Sequence, residues 1–199
     1  AAWKRSTVRR RNSRRRSSSP CRPRGRIPLT SPNTSSAGTG AGMRELTYAA
    51  ALNEALLEEM ERDGNVVVLG QDVALYGGVF GVTAGLMNKF GDRRVVDTPI
   101  SENGMVGAAV GMAMSGLRPI VEIMYADFLS LALDSLANAA SVFSFIHANQ
   151  LSVPMVVRTQ GGTGSAAGPQ HSKSLEVWTA HLPYVHTVMP ASPADARVC

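Results

Sequence analysis

Glu102 is the residue of this sequence best placed to do acid–base chemistry. It stands near the start of the segment DTPISENGMVGAAVGMAMSG (97–116), which contains no charged residue after it. A carboxylate in the first turn of a helix can simply favour the helix dipole, by about a few tenths of a kcal/mol. A carboxylate shielded from water can instead exchange a proton with a ligand nitrogen. The spacing alone leaves both interpretations open.

Small residues follow Glu102 at helical spacing. Gly104, Gly107, Ala108 and Gly111 fall three or four residues apart, so they share one face of a helix. Glycine inside a helix costs about 0.8–1 kcal/mol relative to alanine, which requires a packing reason. We therefore expect another backbone to approach this face closely, within the chain or between subunits, and to keep Glu102 dry.

The other residues capable of chemistry form weaker patterns. His171 lies in a loop rich in Gly and Ala, and Phe128 follows a predicted strand, where an aromatic ring is usually core but can also stack on a ligand. Ser165 lacks the G-x-S-x-G context of a nucleophile elbow. No P-loop is present, and no G-x-G-x-x-G follows the first strand, so a nicotinamide-binding fold is not expected. Three further histidines have no metal-ligand spacing: His147, His181 and His186.

Helices and strands alternate along the part of the sequence that would position these residues. Apolar periodicity and turn residues predict both kinds of element. Predicted helices cover 47–62, with Thr47 as N-cap, 83–90, the stretch from Pro99 to Gly116, 127–148 and 174–182. Predicted strands cover 65–70, 93–99, 118–125, 153–160 and 185–190.

The predicted strands are continuous apolar runs, which is typical of a parallel sheet covered by helices on both faces. The fold class is therefore α/β. In such sheets ligands bind at the carboxyl ends of the strands. Four loops are the candidate sites: 71–72, 101–102, 125–128 and 161–171.

Composition divides the chain into two regions. Residues 1–42 hold 11 of the 20 Lys and Arg residues and none of the 15 Asp and Glu residues, with few large apolar side chains. Such a segment is expected to be disordered. Three interpretations stay open: sequence translated upstream of a start at Met43, a transit peptide, or non-specific nucleic-acid binding, which we consider the least favoured.

Residues 43–199 have the composition of a globular domain with a core of its own. No uninterrupted apolar run is long enough for a transmembrane helix. Cys21 and Cys199 lie near opposite ends, so neither a disulfide framework nor a metal site is indicated. The sequence stops after SPADARV, which reads as the start of a helix, so we expect an edge of the fold to be missing.

Three stretches carry a resemblance to a known family. They are residues 66–128, with the motif DTPISE, residues 169–183, with QHSKSLE, and residues 188–196. They closely resemble the beta subunit of the thiamine-diphosphate-dependent decarboxylase of 2-oxo acid dehydrogenase complexes. The resemblance runs from about Leu46 to Val198 and covers the N-terminal, pyrimidine-binding domain of a transketolase-like fold.

The resemblance implies roles for individual residues. Glu102 would hydrogen-bond a ring nitrogen of the cofactor's aminopyrimidine and favour the tautomer that deprotonates the thiazolium carbon. Phe128 would pack on the aminopyrimidine ring, and Gln71 would lie beside the cofactor pocket. His171 would face the substrate and the incoming lipoyl group. Met155 matches one backbone position of a potassium site.

The resemblance also implies partners. An alpha subunit would hold the diphosphate through Mg²⁺ with a GDG-plus-Asn motif, which this chain lacks. The expected assembly is an α2β2 heterotetramer that passes its acyl group to a lipoyl-bearing acyltransferase core. No membrane partner is implied.

Three departures from the family pattern stand out. Val142 replaces a frequent Lys, Ala148-Asn149 replaces a frequent Gly-Gly, and Gln71 replaces a frequent Glu. The segment SVFSFIHANQ (141–150) is the one where subunit contact and substrate access are expected to differ from relatives.

The expected function is oxidative decarboxylation of pyruvate or a related 2-oxo acid, with acyl transfer to lipoyllysine. An acetoin-cleaving dehydrogenase subunit shares every motif quoted. A truncated, non-catalytic copy with a basic tail is the alternative of a different class. The expected location is the cytoplasm, or the mitochondrial matrix or a plastid if residues 1–42 are a transit peptide.

Overall fold

The computed structural model of the protein describes residues 45–198. The basic segment predicted over 1–42 lies outside these residues. Six α-helices and four strands follow one another within them. The helices are α1 (Tyr48–Arg62), α2 (Leu86–Phe90), α3 (Glu102–Met114), α4 (Phe143–Ile146), α5 (Glu176–Ala180) and α6 (Pro193–Val198). The strands are β1 (Val66–Gly70), β2 (Val95–Asp97), β3 (Arg118–Ile123) and β4 (Val156–Thr159).

The four strands form one parallel sheet in the order β2-β1-β3-β4. The central strand β1 is buried along its whole length, as its run of Val and Leu predicts for a strand covered on both faces. Val68 pairs with Ile120 and Leu69 with Val121 across the centre of the sheet. The predicted α/β class with a parallel sheet is confirmed.

Successive side chains of a strand point to opposite faces of the sheet, so alternate residues belong to two separate cores, one on each face. Leu69, Val121 and Ile123 join the core that α3 covers with Met105 and Val106. The other core takes Val66, Val68 and Ile120 and is covered by α1 and α2 through Leu56, Met60 and Leu86. Both faces of the sheet are thus dry, which fixes the positions of the loops at its carboxyl edge.

Helix α1 is held at both ends by side chains. The predicted N-cap is confirmed, because the Thr47 hydroxyl accepts a hydrogen bond from the Ala50 amide at 3.2 Å. At the other end the Arg94 guanidinium donates to the carbonyl oxygens of Met60, Asp63 and Val66 at 2.8–3.0 Å. Arg94 therefore joins the end of α1 to the start of β1.

The helix predicted over 127–148 is broken into three parts. Ala126–Ala132 is a 3-10 helix, Ser135–Ala140 is a π-helix and Phe143–Ile146 is α4. Leu129, Ala132 and Leu136 all lie in the core below α3. The change from the tight to the wide helix keeps these three side chains on the core, which apolar periodicity alone does not reveal.

Two other predicted elements differ from the structure. The strand predicted over 185–190 pairs with no other strand among the described residues. It is an extended segment with Val188 and Met189 largely exposed, and its Pro190 carbonyl accepts a hydrogen bond from the Tyr48 hydroxyl of α1 at 3.1 Å. The helix predicted from Thr83 begins only at Leu86, because the left-handed Gly85 at φ 79° precedes it.

The backbone shows that one departure from the family pattern is conformationally unfavourable. Ala148 and Asn149, the positions at which the resemblance predicts Gly-Gly, have φ values of 52° and 62°. This left-handed region strains residues with a Cβ atom, although Asn tolerates it better than most. Ala148 is therefore a strained position just after α4.

Ala148→Gly is expected to raise the free energy of unfolding by about 0.5–1 kcal/mol, since relief of the left-handed strain exceeds the entropy that glycine adds to the unfolded chain. Urea unfolding of the full chain measures the change. Ala108→Gly, at an exposed interior position of α3, is the matched control and should lower stability by about 1 kcal/mol. Equal losses in both variants would contradict the strain at Ala148.

Within the described residues, no single helix is long and apolar enough to cross a membrane. Ala126–Ala132 and Ser135–Ile146 would meet the length and composition of a span only as a pair, bent by 60°.

Candidate active site

The four loops predicted to bind a ligand lie at one edge of the sheet. Gln71 follows β1, Glu102 follows β2, Phe128 follows β3 and His171 follows β4. Because all four strands are parallel, their carboxyl ends share this edge. The fold thus collects at one place residues that lie up to a hundred positions apart.

Glu102 is buried at the first turn of α3. Its residue surface is 8% exposed, and so is that of Gln71. The Gln71 amide nitrogen lies 3.4 Å from a Glu102 carboxylate oxygen, in donor-to-acceptor order. Met105 and Val106, one turn further on, are core residues that fix the helix against the sheet. Glu102 is therefore a buried carboxylate with a neutral amide partner, as the proton-exchange interpretation requires.

The glycines of α3 do not provide the contact predicted for them within this chain. Gly104, Gly107 and Gly111 are exposed, and a Cβ atom at Gly111 would meet nothing within 4 Å. Only at Gly107 would a Cβ atom approach another element, 3.3 Å from the Ser135 hydroxyl of the π-helix. Glu102 is buried although Gly111 contacts no other element, so the close contact predicted for this glycine is not made within the described residues, and a contact between subunits stays a prediction.

The loop after β1 is anchored by an acid of the DTPISE motif. The two carboxylate oxygens of Asp97 accept hydrogen bonds from the backbone amides of Ala74 and Leu75, at 2.7 and 3.4 Å. Sequence inspection did not single out Asp97. It holds the loop that begins with Gln71 against the end of β2, close to where the chain enters α3.

Three rings form a cluster at the other half of the edge. Tyr125 lies 4.5 Å from the His171 ring and 6.3 Å from the Phe128 ring, between centroids. Phe128 and His171 are 5.5 Å apart in an edge-on arrangement, and Phe80 meets Tyr125 at 5.6 Å. The structure therefore brings Phe128 and His171 together, and Phe128 also packs on the core that contains Met105 and Val106.

A cavity of about 330 Å³ opens beside these rings. Its walls combine apolar, polar and charged side chains: Asp127, Phe128, Ser130, Leu131, Gln170, His171 and Lys173. Its volume lies at the lower end of the range of small-molecule sites.

Asp127 and Lys173 form an ion pair in the wall of this cavity. The Lys173 Nζ donates to Asp127 Oδ1 at 2.9 Å. The Asp127 side chain is only 3% exposed, whereas that of Lys173 is 51% exposed. The hydrogen bond from the Lys173 ammonium lowers the pKa of the Asp127 carboxyl, against the opposing effect of its burial.

Asp127→Asn is expected to lower stability near neutral pH and to lose that effect in acid. Because the pKa of Asp127 is lowered in the folded protein, its contribution is complete above the unfolded pKa and disappears as pH falls through the folded pKa. Urea midpoints of wild type and variant should therefore begin to converge below about pH 4 and meet as pH falls through the lowered, folded pKa. Asp92→Asn, at an exposed acid, is the control; a gap for Asp127→Asn that stays constant down to pH 3 would contradict the ion pair.

A second buried ion pair joins β3 and β4. Glu122 and Arg158 are register partners on neighbouring strands, and their side chains are 3% and 16% exposed. The Arg158 guanidinium and the Glu122 carboxylate form an ion pair. The one signal in the sequence was an acid inside the apolar run RPIVEIMY. Sequence inspection missed it, because only the strand register reveals its partner.

The last of the predicted site residues, Met155, lies at the amino end of β4 and not at the carboxyl edge of the sheet. Met155 immediately precedes β4 and packs against the core below α3. Its potassium role stays a prediction. Among residues 45–198 no three His, Cys, Asp or Glu side chains are grouped to hold a metal ion.

A parallel sheet with a buried acid and amide, a half-buried aromatic ring and a half-buried imidazole at its carboxyl edge has the arrangement of a ligand-binding α/β domain. The profile of the family described as "Transketolase, pyrimidine binding domain" matches residues 44–199, and the chain belongs to this family. A solved structure described as "Split gene transketolase, inactive beta4 tetramer" has a similar fold, with a TM-score of 0.57 at 19% identity over 74% of this chain and 43% of that chain.

Curated relatives place the chain more closely. It is 43% identical to "Pyruvate dehydrogenase E1 component subunit beta-2, mitochondrial" of Oryza sativa subsp. japonica, over 79% of this chain and 42% of the relative. It is 42% identical to "Pyruvate dehydrogenase E1 component subunit beta" of Rhizobium meliloti, over 79% and 34%. It is 43% identical to "2-oxoisovalerate dehydrogenase subunit beta" of Bacillus subtilis, over 78% and 47%.

The resemblance to beta subunits of 2-oxo acid dehydrogenases, predicted from DTPISE and QHSKSLE, is confirmed by these relatives. The chain spans less than half the length of each of these relatives.

Proposed function

We propose that this chain provides the pyrimidine-binding half of the active site in a thiamine-diphosphate-dependent 2-oxo acid dehydrogenase. The reaction is oxidative decarboxylation of a small 2-oxo acid with acyl transfer to lipoyllysine. The observation that carries the proposal is the buried Glu102 beside Gln71, at the ligand-binding edge of a chain 43% identical to a pyruvate dehydrogenase beta subunit.

The residues present fit an aminopyrimidine. A carboxylate shielded from water is a strong hydrogen-bond partner for a ring nitrogen, and Glu102 is such a carboxylate. The half-buried ring of Phe128 offers an aromatic face that a flat heterocycle can pack against. The cofactor that matches is thiamine diphosphate.

Thiamine diphosphate, when bound, supplies the carbanion chemistry of the decarboxylation. Glu102 holds and moves the proton at the pyrimidine nitrogen, and the Gln71 amide orients the Glu102 carboxylate from the side. Phe128 holds the ring in place. His171, packed between Tyr125 and the cavity, donates a hydrogen bond or a proton to the substrate or the incoming lipoyl group.

The assembly we propose is an α2β2 heterotetramer. An alpha subunit holds Mg²⁺ and the diphosphate, a lipoyl-bearing acyltransferase core takes the acyl group, and Met155 contributes a backbone oxygen to a potassium ion. Support comes from the relatives, which are themselves named beta subunits. The location we propose is the cytoplasm, as expected from the sequence. The two plant relatives from Oryza sativa and Arabidopsis thaliana are described as mitochondrial and chloroplastic.

Pyruvate is the substrate we propose first, because several relatives are pyruvate dehydrogenase subunits. A branched-chain 2-oxo acid is the second candidate, favoured by the equal 43% identity to the 2-oxoisovalerate dehydrogenase subunit.

Reconstitution tests the function. The chain is co-purified with the alpha subunit of a bacterial pyruvate or branched-chain 2-oxo acid dehydrogenase, and decarboxylation is followed with an artificial electron acceptor in the presence of thiamine diphosphate and Mg²⁺. Activity with pyruvate above that with 3-methyl-2-oxobutanoate is the expected result, and the reverse order would establish the second candidate. No decarboxylation of either acid in a stable complex that binds the cofactor would overturn the proposal.

A further inference from the structure

Residues 161–173 form a loop whose two ends meet. The Gly162 amide donates to the Lys173 carbonyl oxygen at 3.0 Å, so the loop closes on itself in the manner of a compact surface loop. A Cβ atom at Gly161 would lie 2.8 Å from the Ala126 Cβ and 3.0 Å from the Lys173 carbonyl oxygen. The base of the loop is therefore pressed against Ala126 with no space to spare.

The side chain of Lys173 joins the same two segments. Its Nζ donates to Asp127 Oδ1 at 2.9 Å, across 46 residues of sequence. The second oxygen, Asp127 Oδ2, is buried and has no hydrogen-bond partner among the described residues. A buried carboxylate left without a cation is strongly destabilised. The buried Asp127 carboxylate therefore needs the Lys173 ammonium as its partner. Because Lys173 belongs to the loop, this ion pair holds the loop in place.

His171 lies two residues before Lys173, in the same closed loop. Its ring contacts Tyr125 and Phe128, which flank Asp127 in sequence. Its backbone amide donates to the Gly168 carbonyl oxygen at 3.3 Å. Among the described residues the ring itself is held by packing with these two rings, with no hydrogen bond to direct it. Packing alone fixes a ring orientation less sharply than a hydrogen bond or an ion pair.

We propose that Lys173 and Asp127 are positioning residues for His171. Their ion pair fixes the loop against the segment that follows β3, and this keeps the His171 ring against Tyr125 and Phe128, facing the cavity. This inference rests on the proposed function, in which His171 meets the substrate. Sequence inspection did not single out either residue.

The test compares three substitutions of the pair with one control. Lys173→Gln and Asp127→Asn remove the charge interaction with little change in side-chain size. Lys173→Arg retains it, because a guanidinium can bond both oxygens of a carboxylate. Lys89→Gln is the control, since Lys89 forms an ion pair with Glu61 in which both side chains are substantially exposed. Lys173→Gln leaves the buried Asp127 carboxylate without its cation, so Asp127→Asn, which removes the buried charge itself, keeps the test valid if Lys173→Gln does not fold.

The first readout needs no enzyme activity. The proton on Cε1 of the His171 imidazole is followed by NMR in the full chain, with the signal assigned by its loss in His171→Asn. In the wild type, neighbouring ring currents displace this signal. Lys173→Gln and Asp127→Asn should move it toward the free-histidine position, whereas Lys173→Arg and Lys89→Gln should leave it unchanged. An unmoved signal in Lys173→Gln, or an equal movement in Lys173→Arg, would overturn the proposal.

The second readout uses the complex with an alpha subunit. Lys173→Gln should lower kcat by roughly 10–100-fold with little change in KM, because misplacing a group by about 1 Å costs a reaction of that order. Lys173→Arg should restore the rate. If the His171 signal moves as expected but the wild-type complex decarboxylates nothing, the positioning stands and the proposed function fails. A loss of rate in Lys173→Arg equal to that in Lys173→Gln would overturn the positioning role.

Discussion

Glu102→Gln is expected to slow decarboxylation by the reconstituted enzyme by roughly 10²–10⁴-fold, the usual contribution of a positioned acid or base. The substitution exchanges a carboxylate for an amide of the same size, which cannot take and return a proton. The side chain is buried beside the Gln71 amide, and the oxygen of the new amide can still accept from it. The fold and the binding of the cofactor should therefore be retained.

The measurement that isolates this step is hydrogen–deuterium exchange at the thiazolium carbon of the bound cofactor, which should slow along with kcat. Glu176→Gln is a matched control, because Glu176 is also the acid in the first turn of a helix, α5. If Glu102 served only to favour a helix dipole, both variants would lose about a few tenths of a kcal/mol of stability and neither would slow exchange. Normal exchange in Glu102→Gln would remove Glu102 from the proposed chemistry.

Gly70→Ala is expected to lower the free energy of unfolding by about 2–3 kcal/mol, in the upper range for overpacking a buried site. Gly70 ends the central strand β1, fully inside the sheet. A Cβ atom there would lie 2.9 Å from the Glu122 carbonyl oxygen of β3 and 2.9 Å from a Val73 methyl carbon. The carbonyl oxygen belongs to the sheet and cannot move aside. The strain should also displace Gln71, the next residue, and weaken cofactor binding.

Gly64→Ala provides the control, because Gly64 lies in the exposed turn after α1 and a Cβ atom there meets nothing within 4 Å. Urea unfolding curves of both full-length variants give the comparison. A near-wild-type midpoint for Gly64→Ala with a large decrease for Gly70→Ala is the expected result. Similar midpoints for the two variants would show that the sheet relaxes around residue 70.

The parallel sheet could be predicted because its signal is local. Continuous apolar strands such as VVVLG alternate along the chain with segments of helical periodicity. A parallel sheet covered by helices on both faces buries the strands and the apolar faces of the helices together. The same reasoning gave the α/β class and the loops at the carboxyl edge. The predictions were wrong where an element depends on contacts with distant parts of the chain. The strand predicted over 185–190 pairs with no other described strand. The helix predicted over 127–148 is broken, which keeps Leu129, Ala132 and Leu136 in the core.

The candidate site divides in the same way. By itself, the sequence determined which residue types stand at the strand ends, and its motifs predicted site roles for Glu102, Phe128 and His171. The tertiary structure alone decided that Glu102 is buried while the glycines of the same helix are exposed. It alone paired Asp127 with Lys173 and Glu122 with Arg158. The physical reason is that charge pairing and burial depend on distances between segments, and one sequence records only the order of residues along the chain.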